Sequence, residues 1–363
     1  MPHTRENPHF PVAVIGGGQA GLAVAYELGR AGSPAVVLDA ESATGDQWRR
    51  RWPSLRLFTP ARHDGLPGSP FPAPRGAFPG KDDVAAYLTQ FAEANAIDVR
   101  HGVRVTRLST SPASFTLETT AGPMTANSVV VATGSTSTPH TPAFSRELDP
   151  GIVQLHSSEY RGPAHVPPGR ILVVGYGTSG AEIAEELAKA GRDVTIAGRP
   201  TPTIPKPALA IAGDLWWLAM NRVLNRRTSI GRKAARRATE HGAPLIRISA
   251  RDVRGAGARE VGRLTGAANG EPTFADGVTR PTPDVIIWCT GYRGDFRWIM
   301  IDGLDFDAKG YPVAPFGLPE SVPGLAFLGM PFQTSVASHL LGGVGRDARD
   351  VATHLVRAGA GPA

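Results

Sequence analysis

Cysteine is almost absent from this chain: Cys289 is the only one among 363 residues. A lone thiol can form neither an internal disulfide nor a redox-active dithiol, so thiol–disulfide exchange within the chain is excluded and a reducing, cytoplasmic location is expected. Lysine is scarce too. Only Lys81, Lys189, Lys206, Lys233 and Lys309 stand among the 38 basic residues, and the rest are arginine. Long apolar runs are missing: no stretch approaches the roughly 18 residues that a membrane-spanning helix needs. The opening MPHTRENPHF lacks the apolar stretch of a secretory signal. No acid–base pair or nucleophile stands at a telling spacing, so catalytic residues are not readable from the sequence, and no metal is expected.

Glycine (43) and proline (33) are plentiful instead, and glycine is organised. Residues 14–32 read VIGGGQAGLAVAYELGRAG, and residues 173–191 read VVGYGTSGAEIAEELAKAG. Each is an apolar strand, a Gly-x-Gly-x-x-Gly turn and a helix. In such a turn one glycine permits the tight bend, one lets the backbone approach a pyrophosphate, and one lets helix and strand pack closely. The helix N-terminus then offers free N–H groups and a positive dipole to the phosphates. Gly16, Gly18 and Gly21 form the first fingerprint, with Gln19 and Ala20 inside it. AVVLD (35–39) follows as a second strand and ends on Asp39, 23 residues after Gly16, placed to accept hydrogen bonds from ribose hydroxyls. Strand, fingerprint, helix, strand and acid together make a dinucleotide site.

Gly175, Gly177 and Gly180, with Thr178 and Ser179 between them, repeat the pattern. The following strand, DVTIAGR (193–199), ends without an acid and carries Arg199. An acid there would repel a 2′-phosphate, whereas a guanidinium accepts one. This second site is therefore expected to prefer NADPH to NADH. Two fingerprints predict an α/β fold of two Rossmann-like dinucleotide-binding domains, the first taking residues 1–145 and 284–363 and the second, inserted, 146–283. Residues 41–82, rich in Pro, Gly and aromatics, read as a long irregular segment, which is where function concentrates. Residues 81–97 read as a helix, and 103–108, 115–119, 128–132 and 285–292 as strands. Residues 134–170 read as a linker, and a last helix is expected from about 343 to 358.

One basic run, NRVLNRRTSIGRKAARR (221–237), stands out from a net charge of +6. Such a run can meet nucleic acid or membrane. No base-reading or aromatic motif accompanies it, so it reads as the solvated face of a surface helix, with no nucleic-acid partner.

Three further stretches narrow the class. DAESATGDQWRRRWPSLRLFTPAR (39–62), VATGSTSTPHTP (131–142) and WCTGY (288–292), with LLGGVGRDARDVA (340–352), resemble the motifs of the class B flavin monooxygenases. The nearest likeness is to their YUCCA-like and short bacterial CzcO-like members, over nearly the whole chain. The resemblance implies FAD at the first fingerprint, with the NADPH domain inserted in the FAD domain. It implies Asp39 on the FAD ribose, Gln47 and Trp48 along the dinucleotide tail (with a core aromatic as the other reading of Trp48), Val105 beside it, and Thr133 and Gly134 where the chain crosses between domains. It also implies hydride transfer from NADPH to FAD, then oxygen transfer from a C4a-(hydro)peroxyflavin to a small organic substrate, with O2 as co-substrate and room for a homodimer.

Two departures qualify this. The family's F-x-G-x-x-x-H-x-x-x-[YF] signature keeps His156 and Tyr160 but has Pro150 and Ile152 for the Phe and Gly, so His156 reads as a linker residue rather than a catalyst. Phe58 stands where relatives carry Asn or His near the flavin. If it fills that place, a polar partner for the oxygenating intermediate is missing, and an NADPH-dependent flavin reductase or dehydrogenase without oxygen transfer is the alternative. A non-catalytic NADPH-sensing flavoprotein is a third reading.

Overall fold

The computed structural model describes residues 7–112, 114–204, 206–238 and 244–359; the first six residues of the opening segment lie outside the described residues. The first unit builds β1 (His9–Ile15), α1 (Gln19–Arg30), β2 (Val36–Leu38), α2 (Asp46–Arg49), α3 (Lys81–Ala94), β3 (Asp98–Arg100), β4 (Val105–Ser111), β5 (Ser114–Thr119) and β6 (Met124–Val131). The parallel strands are apolar on both faces because both faces are covered. Val12 and Val14 face a core shared with α1 and α3, while Ala13 and Ile15 face the opposite core beneath β4–β6. That alternation is the period of two of a strand. Burying a side chain such as Val14, which is fully excluded from solvent, stabilises the fold by about 1.5–3 kcal/mol.

The chain then crosses through β7 (Thr138–Pro139) into a second unit: β8 (Val153–His156), β9 (Arg170–Val174), α4 (Thr178–Lys189), β10 (Asp193–Ala197), β11 (Thr203–Ile204), α5 (Lys206–Arg222), α6 (Ser229–Ala238), β12 (Leu245–Ile246), α7 (Ala250–Gly255), β13 (Arg259–Val261), the hairpin β14 (Leu264–Ala268) and β15 (Glu271–Phe274), and β16 (Val285–Trp288). Here a five-stranded parallel sheet runs β13-β10-β9-β16-β8. The same alternation recurs: Ile171 and Val173 face one core with α4, and Leu172 and Val174 face another beneath the hairpin.

After β16 the chain returns through β17 (Tyr292–Arg293) to β18 (Leu325–Phe327) and α8 (Val344–Gly359). β18 joins the first sheet: Leu325, Ala326 and Phe327 pair in parallel with Val129, Val130 and Val131. That seven-stranded sheet runs β3-β2-β1-β6-β5-β4, with β18 beside the C-terminal half of β6. In α8, Val344, Ala348, Val351, Ala352 and Leu355 are buried, the spacing of one apolar helix face. The buried carboxylate of Glu27 on α1 meets Arg349 of α8 at 3.4 Å.

Three expectations need correction. A division before residue 284 cuts ahead of β16, whose residues pair with β9 and β8, so 285–288 belong to the second sheet. Residues 134–170 are not all linker, because β8 forms the edge of that sheet. The basic run is two helices, α5 and α6, separated by a turn at 223–228, and the first begins at 206. No helix of the described residues is long and apolar enough to cross a membrane.

The irregular segment 41–80 carries one anomaly. Asp64 is fully buried. The Thr59 hydroxyl donates to its Oδ1, and its Oδ2 has no partner. Burial pushes this carboxyl up to about 7, since ionising it there strands a charge away from water. Between about pH 4 and 7 the unfolded chain releases this proton while the folded chain holds it, so the group costs stability as pH rises through that window. Asp64→Asn keeps the acceptor for Thr59 without the charge. It is expected to raise Tm at pH 8 by roughly 2–4 °C per kcal/mol relieved and to leave Tm at pH 4 almost unchanged. Circular dichroism melts at both pH values check this, and an equal shift at both would remove the assignment.

Candidate functional site: two nucleotide turns on one crossover

The first turn is held by contacts only glycine permits. Gly16 sits at φ +110°, and a Cβ there would lie 2.7 Å from the Ala132 carbonyl oxygen of the neighbouring segment. A Cβ on Gly21 would lie 1.9 Å from the Gly16 carbonyl oxygen, so α1 rests directly on the end of β1. Gly18 is the N-cap of α1. No side chain caps this end and its first turn holds no acid, so the leading N–H groups stay available to an anion.

A cleft of about 580 Å³ opens over this turn. Gly16, Gly18, Gln19, Ala20, Asp39, Gln47, Val105, Thr133 and Gly134 all line it. Asp39, at the end of β2, is buried. Burial raises its carboxyl above the usual range, and a hydrogen bond from the Gly17 N–H pulls the other way. Gln47 reaches over the turn: a Cβ on Gly18 would come 2.6 Å from its Nε2. The Thr133 hydroxyl is buried at the cleft wall without a hydrogen-bond partner in the protein. An orphaned hydroxyl in a lined cleft fits a polar ligand, because leaving it bare costs about 1–3 kcal/mol. An uncapped helix end, an acid at the second strand and an unpaired hydroxyl fit the phosphates, a ribose and a further polar group of a dinucleotide such as FAD.

Gly21 keeps the packing role expected of the third glycine, beneath the turn rather than on the cleft surface, and one expected residue falls elsewhere. Trp48 does not line the cleft; its half-buried ring packs against the core shared by α1, α3 and α8, the core-aromatic reading. Phe58 is not on the cleft either. It joins Trp216, Trp217, Met220, Val336, Ala337 and Leu340 in an apolar cluster under α5.

The second turn repeats the first. Gly175 sits at φ +107°, and a Cβ on Gly180 would lie 1.9 Å from the Gly175 carbonyl oxygen. Gly177 caps α4 without side-chain help, again with no acid in the first turn. Gly177 faces open space, and Thr178 and Ser179 are half-buried beside it. Arg199 stands exposed just past β10.

The two turns are joined through β16 and β17. A Cβ on Gly175 would lie 2.4 Å from the Cys289 carbonyl oxygen, and three residues later Tyr292 lines the first cleft. Three residues span at most about 11 Å, so Tyr292 on the rim of the first cleft lies within that reach of Cys289, whose carbonyl rests against the second turn. The crossing strands are zipped together, with Tyr292 opposite Pro139 and Arg293 opposite Thr138. His156 belongs to this junction. Its Nε2 lies 3.0 Å from the Gly291 carbonyl oxygen and its Nδ1 2.9 Å from the Ser158 hydroxyl, and burial lowers its proton affinity. It ties the end of β8, the edge strand of the second sheet, to the returning chain. Arg51 donates to the Tyr292 hydroxyl and stacks on that ring at 5.0 Å.

Arg51, Ser158, Arg161, Tyr292, Trp298 and Gly329 also line the cleft and were not foreseen. Arg51 and Tyr292 lie inside the stretches 39–62 and 288–292 that carry the family resemblance, Ser158 lies between His156 and Tyr160, and Gly329 ends the short apolar run AFLG, whereas Arg161 and Trp298 stand in no motif. Cys289 lies against the second turn, its Cβ 3.3 Å from where a Cβ on Gly180 would stand. Burial pushes its thiol up to about 12, which removes the thiolate that exchange chemistry requires.

Comparison with known proteins agrees with this geometry. The model of the family described as pyridine nucleotide-disulphide oxidoreductase matches residues 13–214. An uncharacterized CzcO-like oxidoreductase of Geobacillus kaustophilus is 34% identical over 93% of this chain and 95% of its own length. An indole-3-pyruvate monooxygenase, YUCCA1 of Oryza sativa subsp. japonica, is 28% identical over 86% of this chain and 84% of its own. Among solved structures, a flavin-containing monooxygenase from Stenotrophomonas maltophilia superposes with a TM-score of 0.76 at 29% identity, covering 96% of this chain and 99% of that one. With two glycine turns meeting on one crossover and no thiol pair to serve a disulphide, the chain belongs to the pyridine nucleotide-disulphide oxidoreductase family, as an oxidoreductase of its class B flavin monooxygenase branch.

Proposed function

We propose that this protein is an FAD-dependent, NADPH-reduced monooxygenase that inserts one atom of O2 into a small organic substrate and releases the other as water. The observation that carries this reading is the junction itself: Cys289 presses on the second nucleotide turn, and Tyr292, at most about 11 Å of chain further on, forms the rim of the first cleft. A donor of hydride and an acceptor can share that space. Gly16, Gly18, Gln19 and Ala20 would hold the FAD pyrophosphate on the N-terminus of α1, and Asp39 would accept from the ribose hydroxyls. Gln47, Val105, Thr133 and Gly134 would line its remaining length. Gly175, Gly177, Thr178, Ser179 and Gly180 would hold the NADPH pyrophosphate, and Arg199 its 2′-phosphate. FAD, when bound, supplies the hydride and oxygen chemistry.

The chain's own task is then to orient the two nucleotides and keep water from the reacting end. Oxygenation at nitrogen or sulfur, Baeyer–Villiger insertion and oxidative decarboxylation of a 2-oxo acid are the reactions to screen. The balance is the same in the first two: NADPH, a proton, O2 and substrate give NADP+, water and the oxygenated product.

Three outcomes are expected. Gly18→Ala adds a methyl that meets only the movable amide of Gln47, so the protein keeps its fold but purifies without flavin colour and melts lower than the flavin-bound protein; a yellow variant would count against the site. Arg199→Ala raises KM for NADPH about 10–150-fold, the equivalent of roughly 1.5–3 kcal/mol for a lost charged hydrogen bond, with little change for NADH. An unaltered ratio would assign the 2′-phosphate to another residue. Turnover of a panel of small thioethers, amines, ketones and 2-oxo acids under isotopically labelled dioxygen should place label in a product. NADPH oxidation with hydrogen peroxide as the only oxygen product, across the whole panel, would make the protein a flavin reductase.

A further inference from the structure

The two helices α5 and α6 carry a surface that the nucleotide chemistry does not use. Their inner side is seated firmly: Trp216, Trp217 and Met220 pack against Phe58, Val336 and Leu340. The turn between them is fixed by the Arg226 N–H on the Thr334 carbonyl at 2.8 Å and the Val336 N–H on the Leu224 carbonyl at 3.1 Å. The outer side is unusual in two ways. Of ten exposed large hydrophobic residues among the described ones, four lie within 16 consecutive positions: Leu215 (68% exposed), Leu218 (45%), Val223 (45%) and Ile230 (60%). Over the same stretch the charge is of one sign. No acid occurs from 215 to 235, while Arg222, Arg226, Arg227, Arg232 and Lys233 do.

Helical spacing puts apolar and cationic side chains together. Leu215, Leu218 and Arg222 stand at i, i+3 and i+7 on α5, and Ile230 and Lys233 at i and i+3 on α6, spacings that share a helix face. All five are exposed. The acids nearby are engaged at the edges: Asp214 meets Arg62 at 2.7 Å and His63 at 3.2 Å, and Asp350 meets Arg227 at 3.0 Å.

We propose that the outer face of α5 and α6 docks on an anionic lipid bilayer, with Leu215, Leu218, Val223 and Ile230 entering the headgroup boundary and the surrounding arginines and Lys233 meeting lipid phosphates. Large aliphatic side chains set among cations are the composition of an interfacial helix. The charge is complementary to an anionic leaflet, where each cation strengthens partitioning roughly fivefold. Nucleic acid accounts for the cations but gives the exposed leucines no counterpart, and the stretch's two tryptophans face inward. A second copy of the same face would bring like charges together. Docking here would lay the apolar cluster around Phe58 close behind the membrane surface, on the inner side of the same helix.

The test is co-sedimentation of the flavin-loaded full-length protein with vesicles of phosphatidylcholine, alone or mixed two to one with phosphatidylglycerol, at low and high salt. Binding to the mixed vesicles, absent from neutral ones and weakened by salt, is expected. Leu215→Ser/Leu218→Ser and Arg222→Gln/Lys233→Gln should each weaken it roughly tenfold or more while retaining flavin colour and NADPH oxidation. No association with anionic vesicles, or binding unchanged in both double variants, would overturn the proposal. So would a concentration-dependent dimer that Leu215→Ser/Leu218→Ser abolishes, which assigns the face to a second copy. Duplex DNA that displaces the vesicles, and whose binding that leucine variant leaves intact, would assign it to nucleic acid.

Discussion

A helix can start directly on the end of a strand only if nothing projects from either. In this protein that contact occurs twice, with the same dimension: a Cβ on Gly21 or on Gly180 would lie 1.9 Å from the carbonyl oxygen of Gly16 or Gly175. No side chain fits such a gap. The rest of the architecture follows from it. Close seating aims the uncapped N-termini of α1 and α4 over the strand ends, where an anion can be held by backbone groups alone. It also fixes each helix against its sheet, so the cores on either face pack around a defined spacing. Both helix ends lack an acid in the first turn, so no carboxylate of the chain competes for the place.

The second constraint is topological. The chain leaves the first sheet after β6, builds the second sheet, and returns to pair β18 with the same strand it left. The outgoing and returning segments are zipped as β7 and β17, with the Cys289 backbone pressed against the second glycine turn and Tyr292 on the rim of the first cleft. Two nucleotide sites are brought together by backbone pairing rather than by a loop that could drift. His156, buried and bonded to Gly291 and Ser158, belongs to that junction.

The unforeseen parts of the site share one physical origin. Arg51, Arg161, Tyr292 and Trp298 come from segments far apart in sequence, and they meet only because the crossover folds them onto one cleft. Trp48 illustrates the converse. It sits next to Gln47, and adjacency in sequence suggested a shared wall, but one helical step turns it about 100° away into the core. Phe58 likewise belongs to the α5 cluster, which no local pattern in residues 57–60 could announce.

The sequence by itself determined the two sheets, their glycine turns, the acid at the end of β2 and its absence after β10, because each depends on short-range sterics and on residues a few positions apart. The buried runs VAVI, ILVV and VIIW could only be strands covered on both faces, and the single cysteine ruled out dithiol chemistry before any coordinate. Only the tertiary structure decided that β16 belongs to the inserted sheet, that β8 is a strand rather than linker, that the cleft ends at the interdomain crossing, and that the basic run folds into two helices with an apolar-cationic outer face. Those features depend on contacts between residues more than a hundred positions apart, which chain closure sets and local pattern does not encode.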